Sequence, residues 1–155
     1  EGTFELLVRE ALDPGRRLFD VESYEVTMRS EGASGPRATA TVTLRTDAGP
    51  VSTTADGHGP FNALHECLRR SLAAQYPQVE GIRLTDYKVR VLDSYKGTAA
   101  KVRVLIEWSD HQRSWSTVGV SDNVIEASWR ALVDAFRLEL MRADRPAGAL
   151  APARA

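Results

Sequence analysis

Cysteine is almost missing from this 155-residue sequence. Cys67 stands alone, so no disulfide can close within the chain, and a reducing compartment, the cytoplasm, is the expectation. Charge of one sign is lacking too: 20 Lys and Arg face 21 Asp and Glu. With no basic stripe, neither nucleic acid nor an anionic membrane surface is an expected partner. No apolar run approaches the roughly 18 residues of a membrane span, and the N-terminus has no secretory-signal pattern. The three histidines, His58, His65 and His111, form no HxH or HExxH pair and have no suitably spaced cysteine or carboxylate, so no metal is expected. There is no GxSxG and no Walker sequence. His65 and Cys67, two apart on a helix, lie on different faces, which argues against a nucleophile–base pair and for Cys67 as a small core residue. No catalytic residue is expected.

What is present is ordinary for a globular protein: 43% hydrophobic and 26% charged residues, in a length that suits one domain or two small related halves. Residues 3–12 predict a short helix with apolar positions at 4, 7, 8 and 11, stopped by the turn signal Asp13-Pro14-Gly15. Residue 1 is Glu, and the expectation is that 1–15 is a linker helix from a longer protein's upstream part. The last twelve residues, 144–155, contain two prolines and no periodicity, and are expected to be disordered. A domain over 16–143 remains.

Within it the hydrophobic period alternates between two and 3.6. Residues 19–30 and 38–44 read as half-buried strands, the second with Ala38, Ala40, Val42 and Leu44 against Thr39, Thr41 and Thr43. After Asp47-Ala48-Gly49-Pro50 a third strand covers 51–55. A helix opens at Pro60 with Phe61, Leu64, Leu68 and Leu72 on one stripe, and Tyr76-Pro77 closes it. The order then recurs: strands over 84–95, 99–108 and 113–120, with a turn at 109–112, and a helix over about 123–142 carrying Ile125, Trp129, Leu132, Phe136 and Leu140. Asn123 is the expected N-cap, with Glu126 as its capping-box partner.

The halves also correspond residue by residue. Tyr24 and Tyr87 lie 63 apart; Ser52-Thr53 and Ser116-Thr117, Ala63 and Ala127, and Leu68 and Leu132 lie 64 apart. A fixed period through four elements points to internal duplication. The expected fold is α+β, two repeated βββα units over about 19–77 and 82–142 sharing a core. A unit of about 60 residues is marginal alone, and the apolar sheet surface left over suits pairing across a two-fold axis. A homodimer is the expectation.

One segment carries a further signal. Asp56-Gly57-His58-Gly59-Pro60-Phe61-Asn62-Ala63 is a glycine-rich loop running into a helix. It reads either as a plain strand-to-helix turn or as a place where free N–H groups meet an anion, and a short GxG leaves both open.

Taken in order, Thr3–Leu7, Gly57–Leu64, Leu84–Leu92, Gly97–Val104 and Trp115–Trp129 form a set that resembles the C-terminal regulatory (LeuA dimerisation-type) domain of the 2-isopropylmalate synthase and citramalate synthase family, more closely the citramalate branch. The resemblance implies a parent acyltransferase that condenses acetyl-CoA with pyruvate or 2-oxoisovalerate in branched-chain amino-acid biosynthesis. Its metal-dependent TIM barrel would need on the order of 200 residues and lies outside this sequence, so a divalent metal is expected only there and no cofactor in this domain. It further implies a domain that dimerises, contacts its own catalytic domain, and binds isoleucine or leucine as feedback inhibitor.

For such an effector, N–H groups around Gly57, Gly59 and the start of the helix would take the carboxylate, with Pro60 and Asn62 among the site's residues, and Asp86 is the candidate for the ammonium. Phe61, Leu84, Tyr87, Val91 and Val102 would wall the aliphatic side chain, with Thr98 and Ala100 completing the implied site. Two other readings stand beside this one: a purely structural dimerisation domain without an effector, and a stand-alone enzyme using Cys67 or a histidine.

Overall fold

The structure, a computed structural model, describes residues 1–12 and 18–143; the turn read at Asp13-Pro14-Gly15 and the tail read as disordered lie outside the described residues. A helix α1 (Gly2–Leu12) leads into strands β1 (Phe19–Ser30), β2 (Pro36–Thr46) and β3 (Gly49–Gly57) and helix α2 (Pro60–Ala73). Strands β4 (Arg83–Val91), β5 (Val102–Ser109) and β6 (Ser114–Ser121) and helix α3 (Val124–Ala143) follow. The two antiparallel sheets have orders β1-β2-β3 and β4-β5-β6, so the α+β fold of repeated βββα units is present.

Alternation decides the sheet faces. Ala38, Ala40, Val42 and Leu44 are fully buried, while on the other face Thr39, Thr41 and Thr43 bond across to Asp56, Thr54 and Ser52. The second sheet buries Val104, Ile106 and Trp108. Helix α2 presents Leu64, Leu68 and Leu72, and α3 presents Leu132, Phe136 and Leu140, to one core shared by both halves. Each such side chain contributes about 1.5–3 kcal/mol by leaving water. The fully buried indole of Trp108 has its donor satisfied: Nε1–H reaches Thr117 Oγ1 at 2.8 Å, and that hydroxyl donates to Ala131 O at 2.6 Å.

The duplication extends to an irregularity. Register slips between Val21 and Ser23 in β1, and between Leu84 and Asp86 in β4, leaving Glu22 and Thr85 as bulges 63 residues apart.

Four local expectations are modified. Asn123 caps α3, its Oδ1 accepting from Ile125 N at 2.9 Å and Glu126 N at 3.3 Å. The reciprocal half of the capping box is not made, because Glu126 turns to Tyr24 and Arg130. The strands read over 84–95 and 99–108 end earlier and begin later: Leu92 N–H bonds to Lys101 O, and Ser94–Ala99 coil as a 3-10 turn with Gly97 at φ 59°. That conformation strains any residue with a Cβ. In α1 the stripe read at 4, 7, 8 and 11 faces outward, with Phe4 72% and Leu7 60% exposed, while Leu6 is buried against the domain. Side-chain bonds explain that rotation. Glu5 pairs with Arg142 of α3, and Thr3 Oγ1 accepts from Val118 N–H on the edge of β6 at 2.8 Å.

Candidate functional site

The glycine loop is a tight strand-to-helix joint. Gly57 lies so close to the first turn of α2 that a Cβ there would stand 2.5 Å from Ala63 N. His58 N–H donates to Asn62 Oδ1 at 3.1 Å and Ala63 N–H to Gly59 O at 3.0 Å, closing the turn. Gly59 is different: its backbone is extended and nothing lies within 4 Å of a Cβ placed on it. Gly57, His58 and Asn62 line a cleft of about 430 Å³ that opens toward Ser34 and Arg37 of the β1–β2 hairpin.

Phe61, one residue into α2, turns away from that cleft. Its ring meets Tyr87 of β4 with centroids 5.3 Å apart, and Tyr87 Oη lies 2.5 Å from Ser128 Oγ on α3. Tyr87 pairs with Ile106, Val89 with Val104 and Val91 with Val102, so all three face the side of the sheet that the helices cover over β5. Over β4 the helices fall short. The strand is open along its length, with Val89 47% and Val91 51% exposed. Leu84, paired with Trp108, continues the uncovered apolar strip, and Leu92 and Tyr95 beyond the strand's end are exposed too. Val102 is half-buried, Ala100 is buried at the end of the 3-10 turn, and Thr98 is exposed on it.

Asp86 is on the other side. The bulge at Thr85 puts Leu84 and Tyr87 on one face and sends Asp86 to the opposite one, beside Glu107. There its carboxyl pairs with Lys88 Nζ at 3.0 Å and accepts from Tyr87 N–H at 2.9 Å, which together hold it below the usual carboxylate range. The predicted residues thus divide into three groups: the glycine-loop cleft, the Phe61–Tyr87 contact with its apolar strip, and Asp86 apart from both.

Neither a nucleophile nor a metal centre emerges among the described residues. The Cys67 thiol is buried under the first sheet, within reach of Ala40 O and Thr53 O, and burial pushes its pKa up, the reverse of what a nucleophile needs. His65 sits among Phe61, Trp108 and Phe136. Burial pushes its pKa down, favouring neutral imidazole. Among the described residues no three or more His, Cys, Asp or Glu side chains gather as metal ligands. No helix among the described residues is long and apolar enough to cross a membrane.

Sequence reasoning missed a second cleft, of about 450 Å³, between β1, β6 and α3. Its signal was a lone carboxylate, Asp134, inside the apolar run Ala131–Phe136. Burial raises the Asp134 pKa from 3.8 to about 6, against the nearby Arg137 cation. Arg137 itself stacks over the Phe19 ring, 5.2 Å from its centroid.

Fold and surface together define a duplicated α+β domain with one sheet face left open. A family model described as the LeuA allosteric (dimerisation) domain matches residues 1–139, and the chain belongs to that family. It is 40% identical over 150 residues to an (R)-citramalate synthase of Geobacter sulfurreducens, covering 96% of this chain and 28% of that one. An (R)-citramalate synthase of Aquifex aeolicus is 43% identical over 143 residues, 92% of this chain and 27% of its own length. A 2-isopropylmalate synthase of Shewanella sediminis is 31% identical over 128 residues, 83% of this chain and 23% of its own. The chain therefore spans about a quarter of the length of these three relatives.

Proposed function

We propose that this chain is the dimerising, feedback-regulatory part of an (R)-citramalate or 2-isopropylmalate synthase, and that it binds isoleucine or leucine as inhibitor. The observation that carries the proposal is the uncovered inner face of β4. Leu84, Tyr87, Val89 and Val91 form an apolar strip that a two-fold partner would cover, making a seam in which an aliphatic side chain is dehydrated. Phe61, Leu84, Tyr87, Val91 and Val102 wall the effector there, with Thr98 and Ala100 at the far end of the strip.

The carboxylate takes N–H groups at the start of α2, where Gly59, with open space beside its Cα, admits a ligand. Asp86 of the same chain faces away from this strip, so the ammonium takes another carboxylate or carbonyl at the seam. Binding across the seam biases how two copies pack, and that is the route by which occupancy reaches a catalytic domain. The exposed stripe of Phe4, Leu7 and Val8 on α1 is apolar surface fit for contact with that domain. The condensation of acetyl-CoA with a 2-oxo acid, and the divalent metal it uses, belong to the parent's barrel, and this chain contributes no catalytic group of its own.

The test is thermal unfolding with and without isoleucine, leucine and valine, backed by calorimetry. A ligand that binds only the folded form stabilises it by about 2.7 kcal/mol at 100 times its dissociation constant. An acidic amino acid should do nothing. If no branched-chain amino acid gives heat at millimolar concentration, the effector claim fails, and a purely structural dimerisation domain takes its place.

A further inference from the structure

A duplicated fold presents equivalent residues twice, and only those of α2 and β4 enter the proposed effector seam. Counting 63 or 64 residues along, Leu84, Asn62 and His65 of that region correspond to Val21, Glu126 and Trp129. Those three line the 450 Å³ cleft between β1, β6 and α3. Tyr24, the counterpart of Tyr87, packs on Trp129 with centroids 5.0 Å apart and donates to Glu126.

The second cleft differs in two ways. It lies within a single chain, and it holds charges of both signs. Asp134 and Arg137, one turn apart on α3, line it without forming an ion pair with each other. Glu126 is already bonded to Tyr24 and to Arg130, whose Nη1 donates to Val120 O at 2.8 Å. The edge of β6 adds backbone groups. Val118 N–H and Val120 C=O both point off the sheet, toward Thr3 and Arg130. Because a residue's N–H and C=O point to the same side of a strand, Val118 C=O and Val120 N–H turn to that edge as well. Val21 and Val133 supply apolar walls. The volume falls inside the range of about 300–1,000 Å³ common to small-molecule sites.

We propose that this cleft is a second ligand site, complete within one chain, for the zwitterion of an aliphatic α-amino acid. The ammonium bonds to Asp134 and the Val118 carbonyl, the carboxylate to Arg137 and the Val120 N–H, and the side chain lies against Val21 and Val133. The site stands on its own charges and survives if the β4 seam proves empty.

Isoleucine, leucine and valine titrated into the isotope-labelled chain should move the Trp129 indole resonance saturably, while the matching carboxylic acids without an amino group should not. Asp134→Asn and Arg137→Gln should each weaken this response by about tenfold, the loss of one charge-assisted bond. Tyr87→Ala should leave it unchanged. Thermal unfolding of each variant confirms the fold. If Trp129 stays still with all three amino acids, or Asp134→Asn binds as wild type does, the inference falls. Binding lost in Tyr87→Ala alone overturns it while keeping the regulatory reading. Binding lost in Asp134→Asn alone sustains it and removes the effector from the seam.

Discussion

Tyr24 and Tyr87 occupy equivalent places in the two repeats, yet both send their hydroxyls to the same helix, α3, one to Glu126 and the other to Ser128. Strict symmetry would have sent Tyr87 to α2. Instead its ring takes Phe61 of α2 while its hydroxyl crosses to α3, so the residue ties the two halves together. For Tyr24, burial and then the Glu126 carboxylate push the phenol pKa up to about 12, so this bond persists at any physiological pH. The asymmetry leaves β1 half-covered by Trp129 and β4 open.

From that opening the chain should be a homodimer at tens of micromolar. Val91→Glu places a carboxylate in the middle of the proposed seam, at a position already exposed in the single chain. It should therefore yield a folded monomer with a melting temperature that no longer rises with protein concentration. Sedimentation velocity checks this, and an unchanged dimer would move the interface off β4.

Three glycines should separate structure from binding. A Cβ on Gly119 would stand 1.8 Å from Ala127 O, and one on Gly57 2.5 Å from Ala63 N, both backbone atoms that cannot step aside cheaply. Gly119→Ala should lower stability by ~3 kcal/mol and Gly57→Ala by ~2 kcal/mol, in the range of overpacking penalties. Gly59→Ala meets nothing within 4 Å. It should melt like wild type and, if α2 receives a carboxylate, weaken the effector-induced shift.

The Glu5–Arg142 pair should make stability fall in acid. The Arg142 guanidinium, aided by Arg9, holds the Glu5 pKa at about 2 against 4.5, despite some opposing burial. A carboxylate lowered in the folded state contributes stability that is complete above 4.5 and lost as pH drops through about 2. Glu5→Gln should cost on the order of 1 kcal/mol at pH 7, discounted because the pair is partly exposed to solvent. The variant and wild type should converge near pH 2, which denaturant titrations across that range would show.

Asp134 runs the opposite way. Its pKa, raised from 3.8 to about 6 by burial, means the folded state holds the proton more tightly than the unfolded chain. Ionisation therefore lowers stability progressively from pH 3.8 to 6, and the penalty is complete above that. Arg137 softens it, and Glu10 of α1 adds to it. Asp134→Asn should raise stability by about 1–2 kcal/mol at pH 7, after allowance for solvent screening, and by almost nothing at pH 3.5. A melting curve unchanged at pH 7 would contradict this.

Most of the fold was legible because each element obeys one period. The threonine face of residues 38–44, the leucine stripe of 60–73 and the Asn123 cap are local facts. Much of the site was not. Asp86 looked like a neighbour of Tyr87 because nothing in Leu84-Thr85-Asp86-Tyr87 announces a bulge, and one extra residue reverses which face each side chain takes. The outward turn of Phe4 and Leu7 depends on Glu5 finding Arg142, 137 residues away, which no window of sequence contains. The α3 cleft joins β1 to β6 across the whole domain. Asp134 was its one local trace.

The stoppering of β6 governs how large an assembly can become. An exposed sheet edge is an invitation to another strand, and chains that accept it at both ends of a molecule go on adding copies. Along β6 two of the backbone groups an incoming strand would require are already engaged, Val118 N–H by Thr3 and Val120 C=O by Arg130. A small molecule needing only the intervening pair still fits, but a strand does not. Association by this edge is thus closed to polymer growth, and copies that meet over β4 can stop at two.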